Sequence, residues 1–179
     1  MAVLDYYKVN CPVETPFECG NKSIEDKIVG TLPYELLLLR RCHTYEVKYN
    51  GVTVGYYMIG LKQFNLDQFP EPIEDHVVNS FKDLYALHIE YIAVGTLYQK
   101  KGIGSSVLKK IIRDTKKVSE ILPLRLITID ALKEYVEWYQ KFHFKSCGEE
   151  SDNPAVELMY LDLVPNSDIK KLEMLYPIN

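Results

Sequence analysis

The residues with the clearest chemical potential form the stretch Tyr98-Gln-Lys-Lys-Gly-Ile-Gly-Ser105, between an apolar run and an amphipathic one. Two glycines let a ligand approach the backbone closely, and a helix that begins here leaves its first N–H groups without intrahelical partners. Lys100, Lys101 and the positive end of the helix dipole add charge at the same place, so the loop suits a pyrophosphate better than a carboxylate. Two common phosphate loops are excluded. A P-loop needs Gly-Lys-Ser/Thr after four spacers, and a dinucleotide loop needs a third glycine where this chain has Val107. A tight strand-to-helix turn without a ligand is the competing reading of so short a Gly-x-Gly.

The elements that must hold this loop follow from periodicity. Residues 84–94 are apolar enough for a central strand, and 102–120 carry Ile103, Val107, Leu108, Ile111, Ile112 and Val118 along one side, lysines along the other. A buried strand is expected over 124–130. A helix over 131–142 follows, with Leu132, Tyr135, Val136 and Tyr139 on its stripe, then strands over 144–147 and 156–163. Upstream, 44–49 and 52–59 flank Asn50-Gly51, the strongest short hairpin signal. A strand over 5–9 and a helix over about 21–29 precede them, and 36–41 fit either helix or strand. Residues 66–83, with Pro70 and Pro72, read as an excursion with one helix around 74–81, and 167–175 as a C-terminal helix. A hairpin followed by strand-helix-strand-helix-strand-strand implies an α/β (α+β) class, a mixed central sheet with helices on both faces. One domain spans 1–179 in this reading, with its core over about 43–164.

The 179 residues are 47% hydrophobic and 26% charged, which excludes disorder and fibrous repeats and fits a soluble globular chain. Such a chain buries roughly 70% of its unfolded surface and needs no disulfide or metal staple. The longest apolar run, 36–39, is far short of the roughly 18 residues of a membrane span. With no basic or long apolar leader at its start, the chain is expected to be cytoplasmic, without membrane contact. Cys11, Cys19, Cys42 and Cys147 lack any C-x-x-C pairing, so reduced thiols and no metal site are expected. Net charge is −4, yet residues 99–117 hold seven Lys and Arg against only Asp114.

Gln99-x-x-Gly102-x-Gly104, preceded by Ile89-Glu-Tyr-Ile-Ala-Val94, resembles motif A of the GNAT N-acetyltransferases, whose pattern is Gln/Arg-x-x-Gly-x-Gly/Ala. Tyr139-Gln-Lys-Phe-His-Phe144 is similar to that family's Tyr-x-x-x-Gly-Phe segment, with His143 in place of glycine. The resemblance covers about 84–163 well and the hairpin by order of elements. It implies a GNAT-like fold and acetyl-CoA as co-substrate, lying where two parallel strands splay. Its pyrophosphate would then be held by backbone N–H groups of Gln99, Lys100, Lys101, Gly102, Ile103, Gly104 and Ser105. The backbone of Ile92, Ala93 and Val94 would hold the pantetheine arm and polarise the thioester carbonyl.

Acetyl transfer to an amine needs a base for the amine and an acid for the departing thiolate. The resemblance makes Tyr139 the acid, its phenol starting near pKa ~10; a core tyrosine is the alternative. Strand alternation puts His88 and Glu90 on one face with Ile92 and Val94, so either is a candidate base, and a purely structural pair is the alternative. An acetyl-enzyme on Cys147 has no activating neighbours in sequence, so direct transfer is preferred. His143 reads as a turn residue.

The resemblance implies a primary amine as acceptor. Asp67, Glu71, Glu74, Asp75 and Asp83 against Lys82 make an acidic rim that would steer a cationic small molecule or peptide. Phe17-Glu-Cys-Gly20 and Asp130-Ala-Leu132 are similar to segments of GNAT toxins that acetylate aminoacyl-tRNA, which makes charged tRNA the alternative acceptor. Against it, RNA needs basic surface, and the one strong cluster would be taken by coenzyme A phosphates. A catalytically silent acetyl-CoA-binding module is the third reading, and a homodimer is left open.

Overall fold

The computed structural model describes residues 3–65, 68–69, 83–148, 153–164, 168 and 171. Seven strands form one sheet in the order β1-β2-β3-β4-β5-β7-β6. In chain order these are β1 (Leu4–Lys8), α1 (Lys22–Ile28), α2 (Leu32–Leu38), β2 (Cys42–Tyr49), β3 (Val52–Asn65), β4 (Asp83–Val94), α3 (Ile103–Ser119), β5 (Leu126–Leu132), α4 (Val136–Gln140), β6 (Lys145–Ser146) and β7 (Val156–Asp162). β4 and β5 are sheet neighbours joined through α3, so the expected strand-helix-strand crossover and mixed sheet are present. No helix among the described residues is long and apolar enough to cross a membrane.

The chain forms two compact units, Met1–Leu61 with His88–Asp114, and Lys62–Leu87 with Thr115–Asn179. In the first, β1, β2 and β3 are antiparallel, and Tyr49 pairs with Val52 across a two-residue turn. Asn50 at φ 50° and Gly51 at φ 78° supply the two left-handed residues this turn needs. Even-numbered residues of β3 face α1 and α2: Tyr56 and Met58 join Ile28, Tyr91 and Ala93 in one core cluster, with Ile24 and Leu36 packed on it. Odd-numbered Tyr57 faces the other way, stacked on Tyr45 at 4.9 Å and edge-on to Tyr6 at 6.3 Å. Lys110 of α3 sits over the Tyr6 ring, 4.8 Å from its centre. This unit therefore has helices on both sheet faces. The ambiguous stretch 36–41 resolves as the end of α2 over 36–38 followed by a turn over 39–41, and Pro33 helps to start that helix in its first turn.

In the second unit β7 pairs antiparallel with β5 and β6. Phe64, Phe69, Ala86, Leu126, Cys147 and Tyr160 form its core, and Arg125 grips Asp162 at 3.1 Å beside it. One expectation needs correction. The helix read over 131–142 is only α4, preceded by a 3₁₀ turn over Lys133–Tyr135, because Ala131 and Leu132 pair with Glu157 and Val156 and extend β5. Ladder hydrogen bonds to β7 outweigh the helical spacing of Leu132 and Tyr135, and Tyr135 is left exposed. The helix read over 74–81 and all of the acidic rim except Asp83 lie outside the described residues, and of the helix read over 167–175 only 168 and 171 are described, both helical.

Candidate functional site

The end of β4 runs through Gly95 into a 3₁₀ turn over Thr96–Tyr98 and then into the glycine loop. Gly102 takes φ 80° and Lys100 φ 59°, so the loop holds two left-handed residues within three positions, a backbone form that can turn successive amides toward an anion. Ser106 N donates to Gly102 O at 3.0 Å, the first amide of α3 to find an acceptor. Among the described residues, the N–H groups of 101–105 have no protein partner. Five adjacent donors at the positive end of a 17-residue helix make an anion cradle, with an exposed Lys100 beside it. The donor set fits a pyrophosphate.

Two of the loop's side chains are already engaged. Lys101 Nζ donates to Leu97 O at 2.7 Å and rests over the Tyr98 ring, so it closes the loop on itself. Gln99 Nε2 donates to Val94 O at 3.0 Å and to Cys19 O at 2.8 Å. The segment 17–20 is thereby held against the end of β4. Thr96 N donates to Glu18 O at 3.0 Å, Phe17 meets the Tyr56 ring edge-on at 5.0 Å, and Glu25 Oε1 accepts from Cys19 N and Gly20 N. The position of Glu25 follows from Asn21, whose side chain accepts from Ile24 N and starts α1.

On β4, Tyr91 and Ala93 are buried in the α1/α2 cluster while Ile92 and Val94 are half-buried, but His88 and Ile89 are both buried in succession, so the expected strict alternation does not run through the whole strand. Gly55 of β3 stands so near β4 that only a hydrogen fits there. A glycine inside a strand is the sequence signal of such a close backbone approach. His88 is 3% exposed and has a partner, whereas Glu90 is exposed. The Glu90 carboxylate lies beside Cys42 and Gly60, and it reinforces the effect of burial in raising the Cys42 thiol pKa.

Tyr139 belongs to the second unit. Its residue exposure is 6%, and its ring meets Phe144 edge-on at 5.6 Å and Trp138 at 4.7 Å. Burial raises its phenol pKa, so the group is neutral throughout the physiological range and remains a donor. His143 adopts φ 67°, the left-handed conformation that explains why the similar family segment carries glycine there. Its N–H donates to Gln140 O and that of Phe142 to Tyr139 O, closing α4. No disulfide joins the four cysteines, and among the described residues no three His, Cys, Asp or Glu side chains gather.

A model of the acetyltransferase (GNAT) family matches residues 11–144. The chain belongs to the acetyltransferase (GNAT) family, and its enzymatic class is that of an acetyltransferase. No curated protein matches the sequence. Among solved structures, one described as a bacterial toxin superposes with a TM-score of 0.77 at 16% identity over 97% of each chain. AtaT complexed with acetyl-methionyl-tRNAfMet gives 0.73 at 14% identity, covering 95% of this chain and 99% of that one. A tyrosine-to-phenylalanine variant of the AtaT toxin, bound to the C-terminus of the antitoxin AtaR and acetyl-CoA, gives 0.69 at 13%, covering 98% and 99%. At such identities these similarities establish the fold.

Proposed function

We propose that this protein transfers the acetyl group of acetyl-CoA to the α-amino group of an aminoacyl-tRNA. The observation that supports the reading is the amide cradle at 101–105 at the end of β4, in a chain that over 95% of its length superposes on AtaT, seen in complex with acetyl-methionyl-tRNAfMet. The cradle holds the pyrophosphate, and the backbone of Ile92, Ala93 and Val94 holds the pantetheine and polarises the thioester carbonyl. The amine lone pair attacks that carbonyl; the C–N bond forms as the C–S bond breaks. Tyr139 donates its phenolic proton to the leaving thiolate and is reprotonated from solvent.

The amine loses its proton to Glu90, directly or through a water. Glu90 is the better candidate because it is exposed, while His88 is buried and already partnered. An aminoacyl α-amine, with a pKa of about 8, is partly neutral at working pH and asks less of a base than a lysine amine near 10.4. Glu90→Gln should therefore lower turnover most at the acid end of the pH profile.

The basic helix also supports an RNA acceptor. Only the first turn of α3 meets the phosphate cradle, while Lys109, Arg113, Lys116 and Lys117 are exposed further along it at i, i+4, i+7 and i+8. Coenzyme A phosphates therefore leave most of this charge free for a polyanion. The deciding experiment offers labelled acetyl-CoA with charged tRNAs, free amino acids, polyamines and peptides. Acetylation of charged tRNA alone, weakening steeply with salt, is the expected result. Preferential turnover of a small polyamine would return the acceptor to the cationic small-molecule reading, and no turnover with any amine would make the protein a binding module.

A further inference from the structure

The carboxamide of Gln99 is the one side chain of the glycine loop that reaches away from it in two directions. Its Nε2 hydrogens divide between Val94 O, the last carbonyl of β4, and Cys19 O, eighty residues before Gln99. Both acceptors are backbone, so what Gln99 fixes is the path of two chain segments. Val94 ends the stretch proposed to hold the thioester, and Cys19 lies in the 17–20 segment, whose other ties are Thr96 N to Glu18 O and the Glu25 carboxylate. Phe17 fills the space over Gly95, where an added methyl would meet its ring at 3.5 Å.

We propose that Gln99 is a positioning residue for acetyl transfer, clamping the end of β4 to the 17–20 segment and so fixing the spacing between the thioester-holding strand and the phosphate cradle. It holds no phosphate itself. The clamp needs two N–H donors from one planar group and no acceptor. Glutamine supplies them, and so does arginine, the other residue allowed at this place in the motif. Glutamate has the same shape and offers only acceptors to two carbonyl oxygens, which opens the clamp. The proposal rests on the reading of the loop as the coenzyme A site.

The test compares wild type with Gln99→Glu, Gln99→Met and Gln99→Arg, using acetyl-CoA and the phosphate-free donor S-acetylpantetheine. Misplacement of a strand near reacting atoms is expected to cost roughly tenfold or more in kcat/KM for Gln99→Glu and Gln99→Met. Gln99→Arg should recover to within about threefold of wild type, because its fork restores both donors. The loss should be as large with S-acetylpantetheine as with acetyl-CoA, and amide exchange at Thr96 should quicken in the Glu and Met variants. A defect confined to acetyl-CoA would make Gln99 a phosphate ligand and overturn the proposal, as would wild-type rates and exchange in Gln99→Glu. Absence of acetyl-CoA binding by the wild-type protein would instead overturn the reading of the loop, and the clamp's role with it. Exchange at Thr96, measured without any ligand, separates the two failures.

Discussion

A methyl group placed on Gly55 would stand 2.5 Å from the carbonyl oxygen of Ala93, closer than any carbon can sit. β3 and β4 approach here through bare backbone, directly beneath the peptide assigned to the pantetheine arm. Gly55→Ala should therefore push Ala93 away, costing about 1–3 kcal/mol of stability and weakening acetyl-CoA binding together. Urea unfolding and calorimetric titration check both. Unchanged stability would mean that the strands absorb the methyl by sliding.

The amide cradle predicts a ligand effect that one substitution removes. At a hundredfold excess over its dissociation constant, acetyl-CoA should add about 2.7 kcal/mol, a rise in Tm of roughly 5–10 °C for a chain of this size. Gly104→Glu sets a carboxylate among the unpartnered donors of the first turn and should abolish the shift while the far-ultraviolet spectrum is retained. A shift that persists in this variant would move the phosphate site elsewhere.

Tyr139→Phe keeps the ring contacts with Trp138 and Phe144 and removes only the hydroxyl. If the phenol protonates the leaving thiolate, kcat should fall by about a hundredfold while KM for acetyl-CoA barely moves. Steady-state rates across pH decide it. Full turnover in the variant would return Tyr139 to the core.

His143 pays for its φ of 67° in backbone strain that glycine lacks. His143→Gly should stabilise the fold by about 1 kcal/mol, raising Tm by roughly 2–4 °C, with activity unaltered. A fall in kcat with a changed pH profile would show that the imidazole takes part in the chemistry.

Burial raises the phenol pKa of Tyr56 to about 12 and raises those of Tyr57, Tyr91 and Tyr139 as well. In the unfolded chain each ionises near ~10, so between these values the folded state holds more protons and stability falls as pH rises. Below about pH 10 these groups should leave stability independent of pH, and above it the protein should lose stability progressively. Phenolate absorbance followed against pH should show the exposed tyrosines ionising first and Tyr56, Tyr57, Tyr91 and Tyr139 only with unfolding. A single titration of all tyrosines near pH 10 in the folded protein would contradict the burial.

Local chemistry in the chain was enough to place most of the fold. The Asn50-Gly51 turn and the apolar stripe of α3 are short-range patterns, and each survives in the structure because burial and hydrogen bonding agree with it. The glycine loop and the exceptional residue His143 were legible for the same reason, since a positive φ restricts residue type at a single position. Tertiary structure decided what depends on distant partners. It turned Ala131 and Leu132 from helix to strand by giving them Glu157 and Val156 to pair with, and it separated exposed Glu90 from buried His88, which alternation alone made equivalent. It also turned the Gln99 side chain toward Cys19, eighty residues earlier in the chain, because the carbonyls of Val94 and Cys19 can meet one carboxamide only after β4 and the 17–20 segment have been folded side by side.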